Sequence, residues 1–276
     1  MTLRCQDTAG LFTYSIVVVD NDSLRSAEFV VSKFSTLSSI PIKYCMEPRQ
    51  NIALARNEAI RNSSGTFLAF IDDDEFPGKN WLLTLLQTCE QDKVDGVLGP
   101  VMPHFDEEPP RWIIKSKLYL RPIKPTGALV DWREARTGNV LLRKKILKDE
   151  AFPFRPEFRM GEDQDFFRRM MEKGCVFIWS ADAVAYEVVP PGRWKRGYML
   201  RKALLRGATA RLQPNCNLMN ILKSVIAVPI YAIALPVALS LGQHISMTLL
   251  VKLCDHLGKL LAVAGIDPIK GPYVTE

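Results

Sequence analysis

The stretch that decides the fold is Phe67-Leu68-Ala69-Phe70-Ile71-Asp72-Asp73-Asp74-Glu75, an apolar run that ends in four consecutive acids. Apolar runs of this length that are rich in Phe and Ile predict an interior strand of an α/β sheet. Ligands of open α/β sheets bind beyond the carboxyl ends of the strands. The strand would therefore present its acids at the edge of the sheet where ligands bind. The turn predicted at Pro77-Gly78 would hold the acids at the end of the strand.

The four acids have two explanations. Acid runs are commonly solvated loop ends, with no ligand. Alternatively, like charges this close raise one another's pKa unless a cation lies between them. Mg²⁺ or Mn²⁺ is the hard cation that one or two carboxylates hold together with substrate phosphates. Under the second explanation, Asp72 and Asp74 predict a binding site for a metal–diphosphate complex.

Strand and helix patterns alternate along the first hundred residues. Strands are predicted at 12–19, 40–46, 67–71 and 95–101, and helices at 24–34, 51–61 and 79–89. This alternation predicts a mostly parallel, Rossmann-like sheet with helices on both faces. Asp20 and Asp22 follow the first strand and are also explained as turn formers or helix caps. Arg56 on the second helix is also explained as a surface charge.

A second acidic element lies further along the chain. Gly138, in the turn Thr137-Gly138-Asn139 before a predicted strand, would let the backbone approach a ligand closely. Glu162 and Asp163 then open a helix that follows Gly161. Acids in a first helical turn are commonly dipole partners, but a carboxylate kept ionised there also suits a general base.

The charge distribution limits the possible partners. The formal net charge is +6, and no acidic residue occurs from Val188 to Cys254. Such a basic block suggests polyanions, namely nucleic acid, diphosphates or anionic lipid. No aromatic-interleaved nucleic-acid motif accompanies it, so no nucleic-acid partner is expected. The six cysteines form no Cys-X-X-Cys pair, which argues against a zinc or redox site.

The C-terminal part is strongly apolar. No charged residue occurs from Ser224 to Val251, and a membrane-spanning helix needs about 20 such residues. A second helical pattern covers 249–263. A buried core helix is the alternative to membrane association, and a single span, a shallow hairpin and an interfacial helix all stay open. The basic residues before it predict a cytoplasmic catalytic domain.

Together these elements resemble the family-two, inverting glycosyltransferases of GT-A fold, and among them bacterial exopolysaccharide enzymes of the succinoglycan type. The resemblance runs from about Asp20 to Gly207, with residues 1–212 as catalytic domain and residues 213–276 as membrane-associated helices and tail. It rests on Val17-Val18-Val19-Asp20-Asn21-Asp22-Ser23, Ala55-Arg56-Asn57, Phe70-Ile71-Asp72-Asp73-Asp74-Glu75, Trp81-Leu82, Gly99-Pro100-Val101, Thr137-Gly138-Asn139, Gly161-Glu162-Asp163-Gln164-Asp165 and Glu187 through Gly207.

The resemblance implies a role for each matching residue. Asp72 and Asp74 would bind Mg²⁺ or Mn²⁺, Asp163 would be the general base, and Glu162 would support it. The implied donor-binding residues are Asp20, Asp22, Arg56, Asp73, Arg193 and Trp194, and the implied acceptor-binding residues are Gly138 and Asn139.

The resemblance also implies a reaction and a place. A hexose would pass with inversion from a nucleotide sugar, with a UDP-sugar as the favoured donor, to a lipid-linked or other saccharide acceptor at the inner (plasma) membrane, in cell-surface or exopolysaccharide biosynthesis. Relatives open with a further strand, whose Pro-Thr-Tyr-like exit lines the uracil pocket, and this chain starts after it. Two explanations stay open, namely a start codon assigned too far downstream and a truncated copy. One alternative is therefore a catalytically inactive membrane-assembly partner of the same fold. Another is a sugar nucleotidyltransferase that uses the same acids.

Overall fold

The structure, a computed structural model, describes residues 2–148, 150–213 and 216–269. Contacts within the chain define two compact units. The first comprises Met1–Pro103, Arg121–Glu157 and Glu162–Val188, and the second comprises His104–Leu120, Phe158–Gly161 and Val189–Glu276. The expected boundary between residues 212 and 213 stays a prediction about domains.

The strands form three sheets among the described residues. β1 (Ile16–Asp20) and β2 (Ile42–Met46) form a parallel pair. The largest sheet has the order β3-β7-β5-β8, with β3 at Phe67–Ile71, β5 at Gly96–Leu98, β7 at Asn139–Arg143 and β8 at Phe177–Trp179. The third has the order β4-β9-β6, with β4 at Glu75–Pro77, β6 at Val101–His104 and β9 at Ala185–Val188.

The largest sheet is mostly parallel, as predicted, because β3, β5 and β8 run in the same direction and β7 is the exception. β7 lies between β3 and β5 and runs antiparallel to both, while β5 and β8 are parallel. Parallel neighbours need a crossover, usually a helix, whereas β7 is reached through the long segment that follows β6. The strand that carries the acids is therefore held by an antiparallel partner.

Helices cover both faces of the largest sheet, as predicted. Successive residues of β7 show the two faces, because Val140 and Leu142 belong to one hydrophobic cluster and Leu141 to the other. One face packs against α2 (Ile52–Asn62) and α5 (Glu162–Glu172), and the other packs against α3 (Trp81–Gln91). α1 (Glu28–Thr36) has no buried residue, and three of its apolar side chains are exposed to solvent.

Local sequence explains where these helices begin. Asn51 caps α2, because its side chain accepts the N–H of Leu54 at 3.1 Å. α5 buries Phe166, Phe167 and Met170 at helical spacing. Gly174 follows it with φ +89°, a left-handed conformation that favours glycine after a helix end.

The second unit consists of helices. They are α4 (Arg111–Ser116), α6 (Arg196–Thr209), α7 (Leu218–Leu241) and α8 (Gln243–Val263). Its core includes Ile113, Met199 and Met247. Among the described helices, α7 meets the length and hydropathy expected of a membrane span, with a mean hydropathy of 2.1 over its most apolar window. On its own this is a weak indication of membrane association.

Candidate active site

The acids after β3 fold into a tight turn. The N–H of Glu75 donates to the carbonyl of Asp72 at 3.1 Å, and the N–H of Asp72 donates to Oε2 of Glu75 at 3.4 Å. β4 begins at Glu75 and pairs with β9, which sets Glu75 opposite Glu187. The turn therefore gathers carboxylates that an extended strand would point to alternate faces.

Asp72, Asp74 and Glu75 form an acid cluster, in which each residue offers a ligand oxygen within 4.8 Å of the others. Burial raises the pKa of Glu75 to about 9, and the charge of Asp72 contributes to the rise. A hard divalent cation bound by carboxylate oxygens would relieve this repulsion, so the residues fit Mg²⁺ or Mn²⁺. Asp73 is exposed between the cluster residues.

Sequence reasoning missed Glu75 as a candidate ligand. The signal was available, because Glu75 is the fourth acid of the run, but its position depends on the turn and on β9. Gly138 makes room for it, since a Cβ built at Gly138 would lie 2.5 Å from Oε1 of Glu75. Gly138 therefore lies beside the acid cluster, and its predicted contact with an acceptor stays a prediction.

Asn139 is buried at the start of β7, where its amide makes internal hydrogen bonds. Its Oδ1 accepts the indole N–H of Trp81 at 2.8 Å. Its Nδ2 donates to the carbonyls of Pro100 at 3.0 Å and Ala183 at 2.7 Å. These bonds join β7 to α3 and to the segments next to β6 and β9, which is a structural role. Acceptor binding by Asn139 stays a prediction.

Arg56 on α2 connects the acid cluster to the start of α5. Its Nη2 lies 3.3 Å from Oδ1 of Asp72, and its Nη1 donates to Oε1 of Glu162. The Arg56 side chain is 14% exposed and packs over the ring of Phe154. Burial alone would lower the pKa of Arg56, but the charges of Glu162, Asp72 and Asp163 outweigh it and raise that pKa. The guanidinium therefore stays charged.

The three acids at the start of α5 differ in their surroundings. Burial raises the pKa of Glu162, although its ion pair with Arg56 opposes the rise. Asp165 is fully buried and forms ion pairs with Arg168 and Arg169, which is a structural role. Asp163 is half-buried, and among the described residues its carboxylate accepts a hydrogen bond only from the N–H of Gln164. Asp163 therefore has the carboxylate least committed to the protein.

Asp20 is the last residue of β1 and Asp22 lies in the turn that follows, which both acids stabilise. The buried Asp20 accepts the hydroxyl of Tyr44 and the N–H of Ala27, both at 2.9 Å. Burial and this hydrogen bond to Asp20 raise the pKa of Tyr44 to about 12. Asp22 accepts the N–H of Leu24 at 2.9 Å, a hydrogen bond that lowers the pKa of Asp22. Turn formation is thus shown for both acids, and donor binding stays a prediction.

Arg193 and Trp194 belong to the second unit, in a short 3₁₀ helix before α6. The carbonyl of Arg193 accepts the hydroxyl of Tyr119 at 2.7 Å. Trp194 packs against Phe105, with ring centroids 6.0 Å apart. These contacts fix the segment within its own unit, and the predicted role of both residues at the donor stays a prediction.

A cavity of about 170 Å³ lies beside Asn139, at the ends of β5 and β8. Three guanidinium groups and an indole line it, from Arg121, Arg133, Arg136 and Trp179. Arg121 lies 3.5 Å from Glu187, the residue opposite Glu75 across β4 and β9. The buried indole N–H of Trp179 has no hydrogen-bond partner within the described residues. The cavity thus offers hydrogen-bond donors.

Solved structures define the class of fold. The structure of residues 1–349 of S. aureus TarS matches with a TM-score of 0.53 at 16% identity, covering 98% of this chain and 89% of that one. The same TarS fragment in complex with UDP-GlcNAc matches with a TM-score of 0.52, also at 16% identity and with the same coverage. The fold is therefore an α/β fold of GT-A type.

Sequence comparison defines the family. Residues 6–151 match glycosyl transferase family 2, which is more than half of the chain. The chain belongs to glycosyl transferase family 2, as its motifs predict.

Two curated relatives are similar over most of the chain. Succinoglycan biosynthesis protein ExoM of Rhizobium meliloti (strain 1021) is 34% identical over 200 residues, which is 70% of this chain and 63% of ExoM. Chondroitin synthase of Escherichia coli is 24% identical over 228 residues, covering 70% of this chain and 33% of that protein. The chain thus spans less than two thirds of the length of these relatives.

Proposed function

We propose that this protein transfers a hexose from a UDP-sugar, with inversion and with a divalent cation, to a lipid-linked saccharide in exopolysaccharide or cell-surface biosynthesis. One observation carries the proposal: Arg56 pairs with Asp72 of the acid cluster and with Glu162 beside Asp163. The buried guanidinium of Arg56 thus connects the candidate metal ligands to the neighbour of the candidate base. Family membership supports the reaction class.

The residues have distinct roles in this reaction. Asp163 removes the proton from an acceptor hydroxyl, whose oxygen attacks the anomeric carbon from the face opposite the leaving UDP. Glu162 holds Arg56, and the fixed guanidinium stabilises negative charge that develops on the diphosphate. Asp72, Asp74 and Glu75 would hold Mg²⁺ or Mn²⁺, which when bound neutralises diphosphate charge.

UDP is the donor nucleotide favoured by the complexes of TarS with UDP and with UDP-GlcNAc. The donor-binding residues we propose are Asp20, Asp22, Arg56, Asp73, Arg193 and Trp194. Gly138 and Asn139 border the acceptor in this proposal, because the arginine-lined cavity beside Asn139 offers donors to saccharide oxygens. The exopolysaccharide assignment follows the name of ExoM. A membrane-associated protein with a cytoplasmic catalytic unit suits such an acceptor.

The test is UDP release by the purified full chain in detergent, across a panel of UDP-sugars, with and without Mn²⁺ or Mg²⁺. Release should require the metal and should be lost in Asp72→Asn/Asp74→Asn. Asp163→Asn should lower it by about 10²–10⁴-fold, since a general base contributes that much. Asp182→Asn is the matched control, because Asp182 is an exposed acid of the same unit. Release unaffected by Asp163→Asn would refute the assigned base.

A second candidate, an inactive assembly partner of the same fold, is favoured by the separation of β1 and β2 from the largest sheet. Asp20 ends β1 in the two-stranded sheet, whereas the acid cluster follows β3 in the largest sheet. A donor pocket that needs both must therefore be formed across two separate sheets. Calorimetric titration of the chain with UDP and Mn²⁺ distinguishes the two functions. Metal-dependent binding that disappears in Asp72→Asn/Asp74→Asn supports the transferase, and a chain that binds no UDP supports the partner.

A further inference from the structure

α7 exposes an unusually apolar surface for a helix with a packed neighbour. It has 24 residues, and only 11% of its most apolar window is buried within the protein. The exposed large side chains recur along its whole length: Leu218, Met219, Leu222, Val225, Ile226, Ile230, Ile233, Val237, Leu239 and Leu241. Water is a poor solvent for such a continuous patch, which marks an interaction site.

One side of α7 packs against α8. Oγ of Ser224 lies 3.0 Å from Nδ1 of His256, and the rings of Tyr231 and His256 lie 5.7 Å apart. Ser224 and Ala238 are buried on this side. Gly242 alone joins the two helices, so they run antiparallel along each other. From Val225 to Leu239 the rest of the α7 circumference is apolar and mostly uncovered.

α6 packs against α8 at an unusually close crossing. A Cβ built at Gly207 would lie 2.0 Å from the carbonyl oxygen of Asp255, and one at Gly258 would lie 2.1 Å from that of Leu204. Arg206 adds an ion pair to Asp255 at 2.7 Å. Glycine at these two positions lets the backbones of α6 and α8 approach this closely.

α6 and α7 lie on opposite sides of α8. Gly258 faces α6 and His256 faces α7. Two residues correspond to about 200° around a helix, since a turn takes about 3.6 residues. The three helices therefore form layers, with apolar α7 outermost, α8 in the middle and α6 beyond it.

The outer layers differ completely in charge. α6 carries cations along its length and no acid, namely Arg196, Arg201, Lys202 and Arg206. From Ser224 to its end, α7 carries no charge, and the exposed Lys223 lies near its start. If α7 crossed a bilayer with α8 and α6 packed alongside, the α6 cations would enter the hydrocarbon, which is strongly unfavourable.

We propose that α7 lies in the plane of a membrane, with its apolar side immersed at the boundary of headgroups and acyl chains, and does not cross it. Interfacial helices sink about 5–10 Å into that boundary. In this orientation α8 rests above α7, and the α6 cations stay in water near anionic phospholipid headgroups. The inference concerns the second unit alone and does not depend on the proposed function.

Depth measurements test the orientation. Leu222, Ile233 and Ser240 are exposed and lie on one side of α7, within about 20° of each other at about 100° per residue. A fluorescent amino acid is placed at each position in turn by codon suppression. The protein is then added to vesicles of phosphatidylcholine with anionic phosphatidylglycerol, in which some acyl chains are brominated at known depths. We expect the same shallow quenching depth at all three positions.

A crossing helix gives a different result. Positions 222 and 240 are about 27 Å apart along a helix, close to the thickness of the hydrocarbon core. A deep Ile233 between two shallow ends would therefore overturn the proposal. A chain that does not bind the vesicles would overturn it as well.

A pair of variants that introduce negative charges tests the same surface by vesicle flotation. Ile230→Glu/Ile233→Glu should reduce vesicle binding at least tenfold, while Leu24→Glu/Phe29→Glu, an equal change on exposed apolar residues of the first unit, should not. Equal binding of both variants would refute the proposal. So would loss of a dimer without loss of vesicle binding, which would make a second copy the occupant. UDP release in detergent, measured on the same samples, reports the proposed function separately.

Discussion

Replacing Arg56 by methionine should destabilise the protein strongly, because Glu162 would keep a buried carboxylate without its cation. The two side chains are 14% and 7% exposed, so water screens them little. Removing one partner of a buried ion pair costs about 3–5 kcal/mol. The contact with Asp72 adds less, because that side chain is 44% exposed and such pairs contribute at most about 1 kcal/mol.

Removing both charges should restore most of that loss. In Arg56→Met/Glu162→Gln no buried charge is left unpaired, so we expect a free energy of unfolding within about 1 kcal/mol of the original chain. The coupling between the two changes should then reach about 2 kcal/mol or more. Urea unfolding measures this coupling in the original chain, both single variants and the double variant. The comparison requires the same m-value, the slope of the unfolding free energy against urea concentration, in all four proteins. Simple additivity of the two single changes would refute the reasoning.

Three further predictions concern glycines and titration. Gly138→Ala should weaken Mn²⁺ binding by crowding Glu75, whereas Gly78→Ala, whose Cβ meets nothing within 4 Å, should not; calorimetry measures both. Without divalent cations, stability should fall as pH rises from about 4.5 to about 9, because folded Glu75 keeps a proton that the unfolded chain releases, at up to about 1.4 kcal/mol per pH unit. Glu75→Gln should flatten this slope in urea unfolding. Thermal melting should show that Gly207→Ala destabilises α6, while Gly197→Ala, at an open position of the same helix, stabilises it by up to about 1 kcal/mol.

The acid cluster was predictable to the extent that it is local in sequence. Asp72 and Asp74 follow an apolar strand directly, so their place at its exit could be read from the run itself. Glu75 could not, because its position depends on the pairing of β4 with β9, more than a hundred residues away. The direction of β7 was equally hidden, since residues 139–143 have the same apolar pattern in either direction.

The internal partners of some polar residues are distant in sequence and could not be predicted. The amide of Asn139 bonds Trp81, Pro100 and Ala183, and none of these contacts is visible in the sequence around it. Arg56 suggested either a surface charge or a donor contact, and its ion pair with Glu162 lies 106 residues away in sequence. A single sequence records which residues are polar, but it does not record which of them the fold uses internally.

The division of the strands among separate sheets has a practical consequence for handling the protein. β1 has β2 as its one strand neighbour, and β3 has β7, among the residues that the structure describes. Each of these strands therefore keeps one side with main-chain donors and acceptors that no neighbouring strand takes up. Such edges are templates for strand addition between chains, which leads to polymers and aggregates. Concentrated solutions should thus be prone to slow precipitation, and a short strand-forming peptide added in excess should delay it by occupying the edge first.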